Sequence, residues 1–273
     1  METAEPIDLY LDLLVRTLTR FDMGSDHYPA TMRNRLARVL ASAVSGPLGR
    51  RRIQINSVRP FSAATRMEGR DHPAYAETMI GIKRLDNVRY CVTTAISDGV
   101  PGDLMEAGVW RGGAAILMRA ILKANGVDDR VVWAADSFEG LPPPDPSVVA
   151  DAGDTLYLDE ALAVSLEEVK ANFAKYGLLD DRTKFLKGWF SDTLPGAPIE
   201  SLAVLRADGD MFASTMDILT SLYPKVSPGG FVIIDDYNDI PACRKAVDEY
   251  RQASGITDTI VAVDWTGVYW RKT

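Results

Sequence analysis

The strictest constraint on this chain is a change of rhythm at Asp103. From there on, short apolar runs alternate with stretches of helical period. DLMEAG leads into GAAILMRAILKANG, and VVWAAD is followed by a helix opening at Ser165. TKFLKGW comes next, then LAVLRAD with ASTMDILTSLYPKV, and GGFVIIDD with PACRKAVDEYRQAS. Apolar runs this short, bounded by turn residues, read as strands buried on both faces. Strands that alternate with helices pair in parallel, because each helix carries the chain back to the end where the next strand starts. An α/β fold follows, with a mostly parallel sheet covered by helices on both faces. TIVAVDWT and GVYWRK, meeting around Thr266-Gly267, predict a terminal hairpin that adds an antiparallel strand.

Local signals mark the joints. Gly126 closes the first crossover helix, and Ser165 with Glu168 forms a capping box for a helix through Phe173. A proline near its start suits the last helix, and SPGG reads as a turn before GGFVIIDD. The segment from Ser137 to about Leu158 is rich in proline and aspartate and reads as a long loop. Residues 1–100 have a different, helical character. Leu11, Leu14, Leu18 and Phe21 share one helical face, and a second helix is expected over Ala30 to Ala43. A third is expected from roughly Tyr75 to Ser97, with Met79, Ile82, Leu85, Val88 and Val92 at helical spacing. Gly46 to Pro73 is polar, arginine-rich and irregular. Two regions follow: 1–100, helical, and 101–273, the α/β domain.

Charge and cysteine usage narrow the function. A net charge of −8 and a pI near 4.9 argue against nucleic acid as the main partner. Cys91 and Cys243 are far apart without a CxxC motif, which excludes a cysteine zinc site and suits a reducing compartment. The acidic start METAEPIDLYLDLLV is unlike a secretory signal, and no run of about twenty apolar residues would span a membrane. A cytoplasmic protein without membrane partners is expected.

Asp208 ends SLAVLRAD, while Asp235 and Asp236 end GGFVIIDD. Neighbouring parallel strands would bring the three carboxylates to the sheet's carboxyl rim, where open α/β sheets bind ligands. They would repel one another unless a cation or a shared proton relieved them. A hard divalent ion such as Mg²⁺, or Mn²⁺, suits an all-oxygen set. The plainer alternatives are a turn cap for Asp208 and a solvated strand end for the pair. Asp210, Asp239 and Asp192 stand nearby and read as solvating, capping or supporting residues.

The run Glu106-Ala-Gly108-Val-Trp-Arg-Gly112-Gly113 joins the first strand to its helix. Glycine there permits close backbone approach to a ligand at a helix N-terminus, although a tight turn alone would also use it. The spacing is not GxGxxG, and a carboxylate at Glu106 would repel a pyrophosphate. It would suit the cationic methionine end of S-adenosylmethionine. Asp136 ends the second strand, where an acid commonly holds ribose hydroxyls or caps the next segment.

Five blocks in order, EAGVWRGG, DSFEGLPPP, KGWFSDTLP, RADGDMFAST and GGFVIIDDYND, resemble the macrocin O-methyltransferase family. The resemblance begins near Arg59 and takes in RMEGRDHPAYAETMIGIKRLDN. It implies enzymes that methylate sugar hydroxyls of natural products with S-adenosylmethionine and Mg²⁺. It further implies a class I methyltransferase fold, a Rossmann-like, seven-stranded sheet with helical N-terminal additions, and a homodimer. Cofactor contacts are implied for Glu106 and Gly108, for Asp136 and Ser137, and for Gly188 and Trp189 near the adenine. Trp189 read alone is equally a core aromatic.

On this footing, Asp208, Asp235 and Asp236 are expected to hold the metal. Two adjacent hydroxyls of a glycosylated small molecule, a vicinal diol, would complete its oxygen set. Asp208 is the expected catalytic base, because a ligating carboxylate keeps an oxygen free for a proton. His72 is the alternative base. Relatives that use a histidine shortly after the first metal aspartate have no counterpart here, where Met211 and Phe212 stand. The segment of about 56–73 is a candidate lid. Two other readings compete. A dinucleotide-dependent sugar oxidoreductase is disfavoured by the glycine spacing and Glu106, and a silent methyltransferase-like partner by the retained acids.

Overall fold

A computed structural model describes residues 5–21, 23–29 and 56–273. The helix expected over Ala30 to Ala43 lies outside the described residues. A seven-stranded sheet organises the chain from Asp103 onward. In chain order its strands are β3 (Asp103–Ala107), β4 (Val132–Asp136), β5 (Thr183–Lys187), β6 (Leu202–Ala207), β7 (Val226–Ile234), β8 (Val261–Ala262) and β9 (Val268–Arg271). Their spatial order is β5-β4-β3-β6-β7-β9-β8. The first five are parallel, while β9 is antiparallel to both β7 and β8. The chain runs outward one way from β3, then returns to its other side at β6. That reversal opens a crevice at the carboxyl ends of β3 and β6, where ligands settle in such sheets.

The sheet is covered on both faces, as the unbroken apolar runs require. All six residues of β6 are buried. On one face lie the helices Pro6–Leu18, Ile82–Ser97, Gly113–Ala124 and Leu166–Lys175. Phe212–Leu222 and Pro241–Ala253 cover the other. Leu11, Leu14 and Leu18 are buried, while Phe21 lies past the helix end and meets Phe61 edge-on. Ser165 Oγ accepts from the Glu168 amide, so the capping residue acts as expected.

Three expectations are corrected. The helix expected from Tyr75 starts at Ile82, because residues 75–81 turn across the sheet's rim. Gly81 sits so close to residues 67–69 that a Cβ there would lie 2.3 Å from the Gly69 nitrogen. The N-terminal region is not wholly helical: β1 (Asp26–Pro29) pairs antiparallel with β2 (Asn56–Arg59). SPGG is no separate turn but a bulged stretch inside β7, where Gly229 takes a φ of 83° and the register slips against β6. The 137–158 loop contains short 3₁₀ turns at Val149–Asp151 and Leu156–Leu158. The terminal hairpin is present but short, its turn held by Asp264 Oδ1, which accepts from the Thr266 and Gly267 amides.

Candidate active site

A cavity of about 750 Å³ opens over the crevice and takes its floor from the ends of five parallel strands. At its centre β3 and β6 come together. Gly108 has a φ of 90°, and a Cβ on it would lie 1.9 Å from the Asp208 carbonyl oxygen. The Asp208 amide donates to Ala107 O at 2.8 Å and the Gly108 amide to Ala135 O at 2.9 Å. The glycine is thus the hinge-pin of two loops, one on either side of the switch point.

The first loop is fixed by buried carboxylates. Glu106 accepts from the Ala115 amide and from Arg206 Nη1, each at 2.7 Å. Burial pushes its carboxyl up to about 8 against the pull of Arg206. Asp136 Oδ2 accepts from the Val109 and Trp110 amides, and Oδ1 from the Phe138 amide. Ser137 Oγ donates to Gly140 O at 2.6 Å and shapes the next turn. The Gly188 amide donates to Asp136 O. Trp189 is no core aromatic: it is 36% exposed on the cavity wall. Glu106, Gly108, Asp136, Ser137, Gly188 and Trp189 therefore all border one cavity. So does His72, at a φ of 42°. Burial, then Arg84, lowers its pKa below the ordinary imidazole value. Of the five described non-glycine residues with positive φ, His72, Trp110 and Asp210 line this cavity, so backbone strain gathers there.

The acids divide into two sets. Asp208, Asp210 and Asp236 each offer an oxygen within 4.8 Å of the others, the one such group among the described residues. Burial raises all three carboxyls above the usual range, Asp210 and Asp236 well above it, and their neighbours' charges raise them further. Asp236 Oδ2 is buried with no hydrogen-bond partner. Asp235 lies beside them but faces cations. Its Oδ1 accepts from Arg206 Nη2 and its Oδ2 pairs with Arg84. Despite burial, Arg206 and Arg84 hold its carboxyl below the usual range. The acid cluster thus differs from the trio read in the sequence by one member, Asp210 for Asp235.

Three residues escaped the sequence reading. Arg206 is buried and also contacts Asp208 Oδ2 at 2.9 Å, so one guanidinium joins Glu106, Asp208 and Asp235. A basic residue inside the apolar run LAVLRAD was its signal, since a buried arginine needs acidic partners. Arg84, reaching Asp235 and Asp264 from its helix, had no such signal. Neither had Asp151, which lies 61 positions from the amide it caps.

Strand order, terminal antiparallel strand and loop-bound crevice together define a class I methyltransferase. The chain belongs to the macrocin O-methyltransferase family: the family described as Macrocin-O-methyltransferase (TylF) matches residues 7–272. It is an O-methyltransferase. Over 276 residues it is 50% identical to the mycinamicin III 3''-O-methyltransferase of Micromonospora griseorubida, covering 100% of this chain and 99% of that one. Over the same length it is 49% identical to the demethyldecarbamoylnovobiocin O-methyltransferase of Streptomyces niveus, covering 100% and 96%. It is 58% identical over 217 residues, 77% of this chain and 81% of the other, to a Streptomyces olivaceus enzyme. That enzyme is named 8-demethyl-8-(2,3-dimethoxy-alpha-L-rhamnosyl)-tetracenomycin-C 4'-O-methyltransferase. The solved O-methyltransferase NovP superposes with a TM-score of 0.84 at 48% identity, over 98% of this chain and 99% of NovP. No helix among the described residues is long and apolar enough to cross a membrane.

Proposed function

We propose that this enzyme uses S-adenosylmethionine and a divalent cation, Mg²⁺ or Mn²⁺, to methylate a deoxysugar hydroxyl of a glycosylated antibiotic precursor. The observation that carries this reading is the half-buried acid cluster beside the glycine-hinged loop. Its unpartnered Asp236 oxygen and upward-shifted carboxyls suit a hard cation. Asp208 and Asp236 are the ligands common to both sets of acids. Asp210 is the third in the present arrangement, whereas both oxygens of Asp235 already face an arginine. Bound cation supplies positive charge that lowers the pKa of a nearby hydroxyl. S-adenosylmethionine supplies the methyl group on a sulfonium sulfur.

The chain's own residues do the rest. Gly108 admits the cofactor to the loop, Asp136 and Ser137 hold that loop's shape, and Trp189 offers a flat face for the adenine. Asp208 accepts the acceptor's hydroxyl proton at a carboxylate oxygen as the methyl–sulfur bond breaks and the methyl–oxygen bond forms. His72, also on the cavity wall, contacts substrate instead of serving as base. The segment of about 56–73 acts as the lid, anchored by Arg70 stacked on Trp265.

The acceptor is a sugar with two adjacent oxygens. A free diol is more than the cation requires, because the tetracenomycin relative's name describes an acceptor already methoxylated at positions 2 and 3. An ether oxygen next to the reacting hydroxyl can therefore stand in for the second alcohol. The 4-hydroxyl of a noviose-like deoxysugar in an aminocoumarin is the acceptor we favour, on the likeness to the novobiocin enzyme. The working unit is a homodimer in the cytoplasm. Replacing Asp208 tests the core of this reading. Asp208→Asn is expected to lower turnover by about 100-fold or more while calorimetry still detects S-adenosylmethionine binding. Undiminished turnover would remove Asp208 from the chemistry, and absence of cofactor binding in the unaltered enzyme would end the whole reading.

A further inference from the structure

The loop of residues 137–162 is tied down at three places. Ser137 and Gly140 close its first turn beside Asp136. Near its far end Ala161 O accepts from Trp110 Nε1 at 2.8 Å, which fastens it to the glycine loop. Between these, Leu141, Pro142, Val148 and Leu156 form cavity wall. The middle tie goes elsewhere. Asp151 is 2% exposed, and its Oδ1 and Oδ2 accept from the amides of Phe212 and Ala213 at 2.6 and 3.0 Å. Those amides open the helix Phe212–Leu222, whose own N-cap residue, Met211, provides no side-chain acceptor. The cap that the helix needs is lent by a loop 61 positions upstream. Two residues before the first of these amides stands Asp210, at a φ of 52° and within the acid cluster.

We infer that Asp151 is a positioning residue: it clamps the cofactor-side loop to the turn 208–211, so that filling the cofactor pocket steadies the acids that face the acceptor. The inference rests on the proposed function. Ordering of the loop by a ligand passes to the turn through these two hydrogen bonds. Asp151 touches neither reacting atom, and its effect runs through Asp208 and Asp210.

Hydrogen exchange with and without S-adenosylmethionine tests it on the full chain. In the unaltered enzyme the ligand is expected to slow exchange in both 137–162 and 209–214. In Asp151→Ala, protection of the loop should persist while the ligand's effect on 209–214 disappears. The unliganded turn should then exchange about tenfold faster, the loss expected when a helix cap is removed. Asparagine keeps one acceptor oxygen, so Asp151→Asn should fall between, and it decides the matter if the alanine variant does not fold. Turnover should drop in the same order with KM for S-adenosylmethionine unchanged. Coupling at the wild-type level in the variants, or unchanged kcat, overturns the role of Asp151 alone. Failure of the unaltered enzyme to respond to S-adenosylmethionine overturns the functional reading and this inference with it.

Discussion

Gly108 shows how one missing side chain can hold a site open. Its φ of 90° is poorly populated by other residues, and the Asp208 carbonyl fills the space that a Cβ would need. Neither obstacle yields easily, since both the clashing oxygen and the hydrogen bonds around it are backbone. Gly108→Ala is therefore expected to cost about 3 kcal/mol or more and to push β3 and β6 apart at the switch point. A denaturant titration reads the stability loss, and S-adenosylmethionine titration reads the site. A variant of wild-type stability would show that the two loops are free to separate. Gly112, also at positive φ, packs instead against Phe173 and Val169, so the two glycines of one motif serve different needs.

At the scale of elements, the sequence disclosed the strands because both faces of the sheet are buried. Continuous apolar runs such as LAVLRA and FVII leave no other reading, and their terminal acids fall at the carboxyl rim by topology alone. What it hid was decided by contacts far apart in the chain. Residues 75–81 carry apolar residues at helical spacing, yet a glycine-to-glycine backbone contact with residue 69 bends them across the cavity. Asp210 read as a solvating, capping or supporting residue, but it stands at a positive φ among the acids. Asp235 looked like a ligand, and its neighbours Arg84 and Arg206, from a helix and a strand, already occupy both of its oxygens. These two aspartates should part company on substitution. Asp235→Asn removes the anionic partner of two buried guanidinium groups and is expected to destabilise the metal-free protein by about 3 kcal/mol. Asp210→Asn removes a repelling carboxylate and should leave it as stable or more so. Mg²⁺ titration of the same variants should find the greater loss of affinity, about tenfold, in Asp210→Asn. A greater loss in Asp235→Asn would mean that an arginine lets go when the cation arrives.

For the molecule as a whole, the site is a store of unfavourable charge, and pH reveals its size. Asp208, Asp210 and Asp236 have folded-state pKa values above their unfolded ones, because burial and mutual repulsion disfavour the anions. Glu106, at about 8, behaves likewise. Above the ordinary carboxylate range the folded state therefore binds more protons than the unfolded chain, and stability falls as pH rises toward the folded values. His72 works in the other direction. Its lowered pKa makes the unfolded chain the better proton binder, so its contribution is lost as pH drops below the ordinary imidazole value. Between pH 7 and 8 the contribution of His72 is nearly spent, and Glu106, at about 8, titrates within the interval, with the two buried thiols Cys91 and Cys243 adding a smaller slope of the same sign. In chelator, the melting temperature is expected to fall across that interval. Added Mg²⁺ should flatten the fall by neutralising the three aspartates, leaving the share that belongs to Glu106 and the thiols. Asp208→Asn in chelator should flatten it too, since one repelling anion is gone. A melting temperature that rises from pH 7 to 8 in chelator, or that ignores Mg²⁺ at pH 8, would mean the acids are not held together against their charge, and the cation would have nothing to relieve.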